Sequence, residues 1–164
     1  MIFENLVTEN KAAFLAKVKE VATYLLINPD WLMFVMYFET AHTMSDHIQN
    51  RIKATGLIQF MPATAIGLGT TVDALKEMSN VDQMDYVQKF LARFRGQYHN
   101  FVDLYCAVFW PAAVGKPDTY TITSHIVAVE NPVFDLNHDG QITKAEIRAA
   151  LIKQIPTAYL SEFV

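Results

Sequence analysis

The sequence predicts a mostly α-helical protein, and three observations lead to that class. Apolar side chains recur at helical spacing in several segments, which is the pattern of a helix with one buried face. Residues that favour the N-cap position precede several of these segments. Prolines fall at the starts and ends of the segments, where a helix tolerates them. One brief extended segment, residues 56–60, is also expected.

The first two helices are separated by Asn28 and Pro29. The first is predicted to begin at Thr8, a good N-cap. Its apolar positions share one face: Phe14, Leu15, Val18, Val21, Ala22 and Leu25. Asp30 is expected to cap the second helix, residues 31–41, which is apolar on nearly all sides and should therefore be buried.

Loops and shorter helices follow. Residues 42–55 are polar and lack a clean period, which indicates a loop. Pro62 should start the next helix, and further helices should begin near Thr71 and Ser79. Each of these two has an aspartate in its first turn, where a negative charge favours the helix dipole.

The last third of the chain is predicted to hold two more helices. The first spans residues 101–110 and stops at Pro111. Residues 111–124 contain glycine, proline and several threonines, so they indicate a connection. The final helix spans residues 144–155 and ends at Pro156.

Length and composition are those of a globular protein. The 164 residues correspond to one domain, or to one domain with a small appendage. With 52% hydrophobic and 18% charged residues, the chain can bury a core. The net charge of −4, with no concentrated basic face, argues against nucleic acid as a partner. The longest apolar stretch, residues 31–38, is far shorter than the roughly 20 residues of a membrane helix, so no membrane insertion is expected.

The N-terminal residues lack the charged-then-apolar layout of a signal peptide, so none is expected. Cys106 is the only cysteine, and no intrachain disulfide can form. We therefore expect synthesis in a reducing cytoplasm, with any export by another route.

Residues 135–146 have the spacing of a calcium-binding loop of the EF-hand type. Calcium prefers about six to eight oxygen ligands, which such a loop supplies from its positions 1, 3, 5, 7 and 12. The residues at these positions are Asp135, Asn137, Asp139, Gln141 (through its carbonyl) and Glu146. Gly140 permits the sharp turn at position 6, and Ile142 is the apolar anchor.

Two features indicate that this calcium loop is structural and not a switch. Pro132 directly precedes it, so a regular entering helix is not expected. Calcium sensors generally pair two such loops, and the sequence has one. We therefore expect Ca²⁺ as a structural ion. The alternative is a solvated acidic turn before a helix.

Glu39 follows the apolar run of residues 31–38. A carboxyl in that place is expected to be partly desolvated, which raises its pKa and keeps a proton available near neutral pH. A general acid for glycosidic cleavage needs this property. The alternative is a helix-end glutamate that reaches solvent or pairs with a base such as Arg51.

Residues 56–65 read Gly-Leu-Ile-Gln-Phe-Met-Pro-Ala-Thr-Ala. They resemble the Gly-Leu-Met-Gln motif and the following Met-Pro-x-Thr-Ala of the soluble lytic transglycosylases, which share the lysozyme-like fold. In that family the catalytic glutamate is followed by serine and precedes the motif by a similar stretch of chain; here Thr40 stands in place of serine. The resemblance implies a lysozyme-like α (α+β) fold, with Glu39 as acid and base, Thr40 hydrogen-bonded near the reacting sugar and Gln59 lining the glycan cleft.

The third motif of that family, Ala-Tyr-Asn-Ala, is only partly met by residues 104–107, Leu-Tyr-Cys-Ala. The resemblance implies that Tyr105 supports the catalytic glutamate or the sugar, whereas Cys106 replaces an asparagine that would contact glycan. Some members of the family also carry a single EF-hand-like calcium site. We therefore expect a lytic transglycosylase domain at residues 1–124 and a calcium-binding appendage at residues 125–164.

A hydrolase of the lysozyme type needs a second carboxylate, at about 6.5–9.5 Å from the acid for inversion or about 5–5.5 Å for retention. Between Glu39 and Asp73 the only other acidic residue is Asp46, which we expect to be a solvated or capping aspartate. Without a second carboxylate, the substrate's acetamido group can attack and its 6-hydroxyl can close a 1,6-anhydro ring. We therefore prefer a lytic transglycosylase that cleaves the MurNAc–GlcNAc β-1,4 bond, with the hydrolase as the alternative.

A second alternative is a non-catalytic peptidoglycan-binding or virion structural module, which the departures at Thr40 and Cys106 motivate. A calcium regulator of the calmodulin kind ranks last, because no second loop is present. The expected partners are peptidoglycan glycan strands and other virion proteins. Small size, the missing signal peptide and the wall-cleaving motif suggest a bacteriophage protein. It would be made in the host cytoplasm and act at the cell wall, as a virion component or at lysis.

Overall fold

The computed structural model describes residues 1–163. Helices account for 55% of the residues and strands for 4%, which confirms the prediction of a mostly α-helical protein. The chain divides into two compact units, Met1–Gly96 and Gln97–Val164. The division falls at Gly96, and the boundary at residue 124 between a transglycosylase domain and a calcium-binding appendage stays a prediction.

The first unit is built from helices that are joined by loops. Its α-helices are α1 (Lys11–Leu25), α2 (Pro29–Glu39), α3 (Pro62–Gly67), α4 (Val72–Glu77) and α5 (Asn80–Leu91), and short 3-10 turns lie at Glu4–Leu6 and Ala92–Phe94. Helix α1 packs against α2 and α5. The predicted apolar face of α1 is buried at Phe14, Val18, Val21, Ala22 and Leu25. Thr8 does not cap it, because the helix starts at Lys11 after a left-handed Asn10 (φ 48°).

Helix α2 is capped by Asn28, whose side chain accepts a hydrogen bond from the amide of Asp30 at 2.9 Å. Asp30 is therefore in the first turn, not at the cap, and its carboxylate accepts from the amide of Ile2 at 2.9 Å. Within residues 1–163, no single helix has both the length and the hydropathy of a membrane span; α1 and α2 reach them only as a pair, bent by 114°.

A loop and two isolated β-bridges connect α2 to α3. The chain reverses after α2 through Ala41 and His42, both in the left-handed region (φ 49° and 70°). Thr55 bridges to Gln49 and to Phe60. The amides of Thr55 and Phe60 each donate to the other residue's carbonyl, at 3.1 and 2.9 Å. The segment predicted to be extended is thus a tight turn whose two ends pair.

The second unit combines helices with one small antiparallel ladder. Its elements are α6 (Phe101–Phe109), β1 (Thr121–Ile122), α7 (His125–Glu130), β2 (Ile142–Thr143) and α8 (Lys144–Ile152), with 3-10 turns at Pro111–Ala113 and Thr157–Glu162. Helix α7 ends before Pro132, so no continuous helix enters the calcium loop, as predicted. The exit helix is shorter than predicted, but its expected apolar face is buried at Ile147, Leu151 and Ile155.

Helix α6 belongs with the calcium loop, which explains the position of the unit boundary. Asp103 of α6 and Lys144 of α8 form a buried ion pair, and the amide of Gly115 donates to Asp103 at 2.8 Å. Tyr105, also on α6, contacts Phe134, and the two rings meet edge to face with their centroids 5.6 Å apart. These contacts join residues 97–124 to the C-terminal segment.

Candidate active site and calcium loop

Glu39 is the last residue of α2 and lies at the edge of an apolar core. Residues 32–36 of the same helix are buried, whereas Glu39 is partly exposed. No ion pair between Glu39 and Arg51 occurs. Desolvation alone raises the pKa of Glu39 to about 7. Such a carboxyl holds a proton in about half of the molecules at neutral pH, so it can donate a proton and take one back.

Thr40 is fully buried. Its hydroxyl donates to the carbonyl of Met36 at 2.7 Å and accepts from the amide of Met44 at 2.9 Å. Both bonds tie the end of α2 to the loop that follows. Thr40 therefore fixes the backbone beside Glu39, and its hydrogen bond near the reacting sugar stays a prediction.

Three stacked rings hold the chain where it leaves α2. Tyr37 lies between Phe3 and His42, with ring centroids 3.7 and 4.6 Å apart. The amide of His42 also donates to the carbonyl of Tyr37 at 2.8 Å. This stack was not predicted, because Phe3 is far from Tyr37 and His42 in sequence. It fixes the chain on the C-terminal side of Glu39.

Gln59 is partly exposed and adopts a left-handed conformation (φ 51°). Its side-chain amide donates to the carbonyl of Gly56 at 3.1 Å and, more weakly, to that of Ile48 at 3.4 Å. These bonds orient the side chain and use its donors. The side-chain oxygen retains acceptor capacity for a donor such as a hydroxyl. Its role in a glycan cleft stays a prediction.

Gly56 is required by the buried side chain of Gln83, which local sequence patterns do not single out. It has φ +80°, and a Cβ at this position would collide with the side-chain oxygen of Gln83. That oxygen accepts from the amide of Leu57 at 3.1 Å. The amide group of Gln83 donates to the carbonyls of Asp46 and Leu75 at 2.6 and 2.7 Å. Gln83 thus joins three segments, and Gly56 serves this contact.

Tyr105 is 2% exposed and packs against the rings of Phe109 and Phe134. Cys106 is fully buried, and burial raises the pKa of its thiol to about 12. The thiol is therefore protonated and unreactive near neutral pH. The predicted support of Glu39 or of the sugar by Tyr105 stays a prediction.

Asp46 is 7% exposed, and no helix begins between Glu39 and Pro62, so the expectation of a solvated or capping aspartate is wrong. Burial raises the pKa of Asp46, and the neighbouring His47 opposes that shift. Among the described residues, its Oδ2 atom is buried without a hydrogen-bond partner. The first unit therefore contains a second desolvated carboxyl besides Glu39.

The calcium loop folds as a compact turn. Asp135 accepts hydrogen bonds from the amides of Asp139 and Gly140, each at 3.1 Å. His138 and Gly140 adopt left-handed conformations (φ 60° and 79°) that reverse the chain. A Cβ at Gly140 would also lie 2.8 Å from the ring of His125. Both the turn and this neighbour explain the glycine at position 6.

The side chains at positions 3 and 5 bond within the loop. Asn137 accepts from the amide of Asp139 at 3.0 Å, and Asp139 accepts from the amide of Gln141 at 2.9 Å. The Asn137 side-chain amide also donates to Asp139 at 3.1 Å. All three residues are exposed, so their oxygens remain open to solvent.

Glu146 caps helix α8 with one oxygen only. Its Oε2 accepts from the amide and hydroxyl of Thr143, at 2.8 Å each, and the Thr143 hydroxyl accepts from the Glu146 amide at 3.2 Å. These bonds make a capping box. Its Oε1 is buried and, among residues 1–163, has no hydrogen-bond partner. A buried carboxylate oxygen without a partner is costly, and a cation would satisfy it.

Ile142, the predicted apolar anchor, is fully buried and pairs with Ile122 in the two-stranded ladder. Strand β1 therefore pairs with the C-terminal part of the calcium loop. This pairing gives the single loop a neighbouring strand, which suits a rigid structural site.

No family model matches the chain, and no curated protein or solved structure is similar to it. The local geometry and the motif resemblance at residues 56–65 are therefore the basis for a functional proposal.

The donor set of the calcium loop fits a hard cation, because it consists of carboxylate, amide and carbonyl oxygens. The unpartnered oxygen of Glu146 agrees with that fit. However, no three His, Cys, Asp or Glu side chains within residues 1–163 converge closely enough to hold a metal in this conformation. The carboxylates of Asp135 and Glu146 are instead engaged with backbone amides. Calcium binding stays a prediction.

Proposed function

We propose that this protein is a peptidoglycan lytic transglycosylase with a lysozyme-like fold and with Glu39 as its single acid and base. One observation carries the proposal: a partly exposed carboxyl at the end of an apolar helix, with its pKa raised to about 7 by desolvation. The resemblance of residues 56–65 to the transglycosylase motif supports the substrate class. The available acceptor of Gln59 agrees with a polar cleft.

In the proposed reaction, Glu39 in its protonated form gives its proton to the glycosidic oxygen as the bond between MurNAc C1 and that oxygen breaks. The acetamido oxygen of the substrate attacks C1 and forms a cyclic oxazolinium. The ionised Glu39 then takes the proton of the MurNAc 6-hydroxyl, whose oxygen attacks C1 and opens that ring. The products are a free GlcNAc 4-hydroxyl and a 1,6-anhydro end, and Glu39 is protonated again.

The decisive substitution is Glu39→Gln, which keeps the shape of the side chain and removes the ionisable proton. We expect it to abolish release of soluble fragments from purified peptidoglycan while the circular dichroism spectrum stays unchanged. Glu77→Gln is the matched control, because Glu77 is exposed in the same unit. Cleavage by Glu39→Gln at the wild-type rate would remove Glu39 from the mechanism.

A lysozyme-type hydrolase is the second candidate, because Asp46 follows Glu39 closely in the chain and would supply the second carboxylate that such a reaction needs. Mass spectrometry of the released fragments separates the two. Anhydro ends, which are lighter by one water, support the transglycosylase; reducing ends support the hydrolase. Sedimentation of the protein with cell wall without any soluble fragment would instead support a non-catalytic binding module.

We also propose that the calcium loop binds Ca²⁺ as a structural ion, through the oxygens of Asp135, Asn137, Asp139, Gln141 and Glu146. The buried, unpartnered oxygen of Glu146 supports this proposal. Since the ion would bind the folded loop and not the unfolded chain, it would stabilise the second unit by mass action.

A further inference from the structure

His42 is exposed and follows Glu39 closely, beyond the end of α2. Tyr37 covers one face of the His42 ring, with the centroids 4.6 Å apart and the planes within 18° of parallel. Phe38 meets the same ring edge to face, at 6.2 Å. Within residues 1–163, these two side chains are the aromatic contacts of His42. The face opposite Tyr37 is therefore the open side of the stack.

The ring of His42 is held in one orientation by the residues beneath it. Tyr37 stacks in turn on Phe3, with centroids 3.7 Å apart and planes within 13° of parallel. The amide of His42 donates to the carbonyl of Tyr37 at 2.8 Å. Ala41 and His42 both have positive φ, 49° and 70°, which is uncommon for residues with a Cβ and persists where surrounding contacts hold it. The protein thus presents a fixed, flat ring to solvent.

The surroundings of this ring favour a neutral ligand. A metal ion is not favoured, because no three His, Cys, Asp or Glu side chains within residues 1–163 converge. An anion is not favoured either. Residues 20–50 contain no lysine or arginine, and the charged side chains nearest to His42 in the chain are those of Glu39 and Asp46.

A sugar ring is a neutral ligand with a matching shape. The C–H bonds on one face of a β-1,4-linked GlcNAc ring point the same way and form an apolar surface. Their hydrogens carry a small positive charge, which is attracted to the negative face of an aromatic ring. The hydroxyl and acetamido groups stay at the rim of the sugar, where they remain free for polar partners.

We propose that the open face of His42 stacks against a GlcNAc ring of the glycan strand, beside the bond that Glu39 cleaves. For its substrate class this inference rests on the proposed function. GlcNAc fits better than MurNAc because it lacks the lactyl-peptide branch. The ring of His42 touches the sugar but not the reacting atoms, so it contributes to substrate binding and not to proton transfer.

The test titrates the full chain, labelled with ¹⁵N, with chitotetraose, a soluble β-1,4-linked GlcNAc oligomer without MurNAc or peptide. The shifts of the amide signals give a dissociation constant and do not require cleavage. We expect saturable shifts at Ala41 and His42. His42→Ala should weaken binding about three- to tenfold, as expected for the loss of one aromatic contact. His42→Tyr retains a ring and should bind at least as tightly as the wild type.

Tyr24→Ala is the matched control, because Tyr24 is another exposed ring of the same unit, 44% exposed. It should bind chitotetraose as the wild type does. Equal affinity in the wild type and His42→Ala would overturn the proposal, and so would the absence of saturable binding by the wild type.

Kinetics on soluble glycan strands separate a binding role from a purely structural one, since loss of the stack could also displace Glu39. His42→Ala should raise KM severalfold, while kcat still falls at a pH of about 7 as in the wild type. A shifted pH midpoint with an unchanged KM would overturn the proposal. The proposed function fails separately: binding of chitotetraose that depends on His42, without cleavage of glycan strands, would exclude the enzyme and retain the stacking site.

Discussion

The Nζ atom of Lys144 lies 2.5 Å from Oδ1 of Asp103, and both side chains are 1% exposed. Asp103 also accepts from the amides of His99 and Gly115, at 2.9 and 2.8 Å. Lys144 donates to the carbonyl of Lys116 at 2.6 Å. Since Lys144 begins the helix that leaves the calcium loop, this ion pair anchors the loop to α6.

Lys144→Met should destabilise the second unit by about 3–5 kcal/mol, because it leaves a buried carboxylate without its counter-charge. Asp103→Ala should be at least as damaging, since it also removes the acceptor of two backbone amides. Urea denaturation measures both. The control is Arg148→Met, which breaks an exposed pair with Asp118 and should change stability by no more than about 1 kcal/mol. If Lys144→Met lost no more stability than Arg148→Met, the ion pair would not anchor the unit.

The pH dependence of cleavage should report the ionisation of Glu39. Since the pKa of Glu39 is about 7, the protonated acid is present below pH 7 and disappears above it. The rate of fragment release at saturating substrate should therefore fall as the pH rises through about 7. Initial rates across a buffer series at constant ionic strength measure this. If the rate stayed constant as the pH rose above 7, another group would supply the proton.

The same carboxyl should make the wild type less stable at alkaline pH. Its pKa rises from 4.5 to about 7 on folding, so between these values the folded state holds a proton that the unfolded state has lost. Stability then decreases with pH across this window, and the full penalty remains above pH 7. Glu39→Gln, which cannot ionise, should be more stable than the wild type at alkaline pH, and the difference should vanish toward pH 4.5. Urea denaturation of both proteins across the window measures it; a constant difference would contradict a raised pKa.

Local signals in the sequence predicted the helical class and the compact turn of the calcium loop. Apolar spacing located α1 and α8, and the glycine at position 140 occupies the left-handed turn that it was expected to allow. Such features depend on neighbours within a few residues. The first residue of α1 was harder to predict. Thr8 has the better side chain for an N-cap, but the helix begins at Lys11, directly after Asn10 in a left-handed conformation.

Polar contacts between distant segments were harder to predict. Asp46 was expected to face solvent, but it is buried, and its carbonyl accepts a hydrogen bond at 2.6 Å from the side chain of Gln83, which is 37 residues away in sequence. Gln83 was not singled out at all, since an isolated glutamine in an amphipathic helix gives no local sign of its bonds to residues 46 and 57. Hydrophobic periodicity indicates which face of a helix is buried. It does not indicate which polar side chains are buried with that face or what they bond to.

Gly56→Ala should destabilise the first unit by about 1–3 kcal/mol through backbone strain and its contact with Gln83. Gly69→Ala is the matched control: its φ is +86°, but a Cβ there meets nothing within 4 Å. Denaturation should therefore show a larger loss for Gly56→Ala. In the double variant Gly56→Ala/Gln83→Ala, the contact is gone and the two losses should not add. Additive losses would show that Gln83 is not the cause.

Calcium should raise the melting temperature of the second unit, because an ion that binds only the folded loop adds about 2.7 kcal/mol at a free concentration of a hundred times its dissociation constant. Glu146→Gln should abolish this rise, since it removes the carboxylate that supplies position 12 but retains a side chain that can complete the capping box. Glu130→Gln, an exposed position outside the loop, should keep it. Calorimetry with Ca²⁺ and with chelator measures these shifts. Chelation should lower the melting temperature but have little effect on the cleavage rate at low temperature. If chelation instead reduced the cleavage rate without changing the melting temperature, the ion would be a switch.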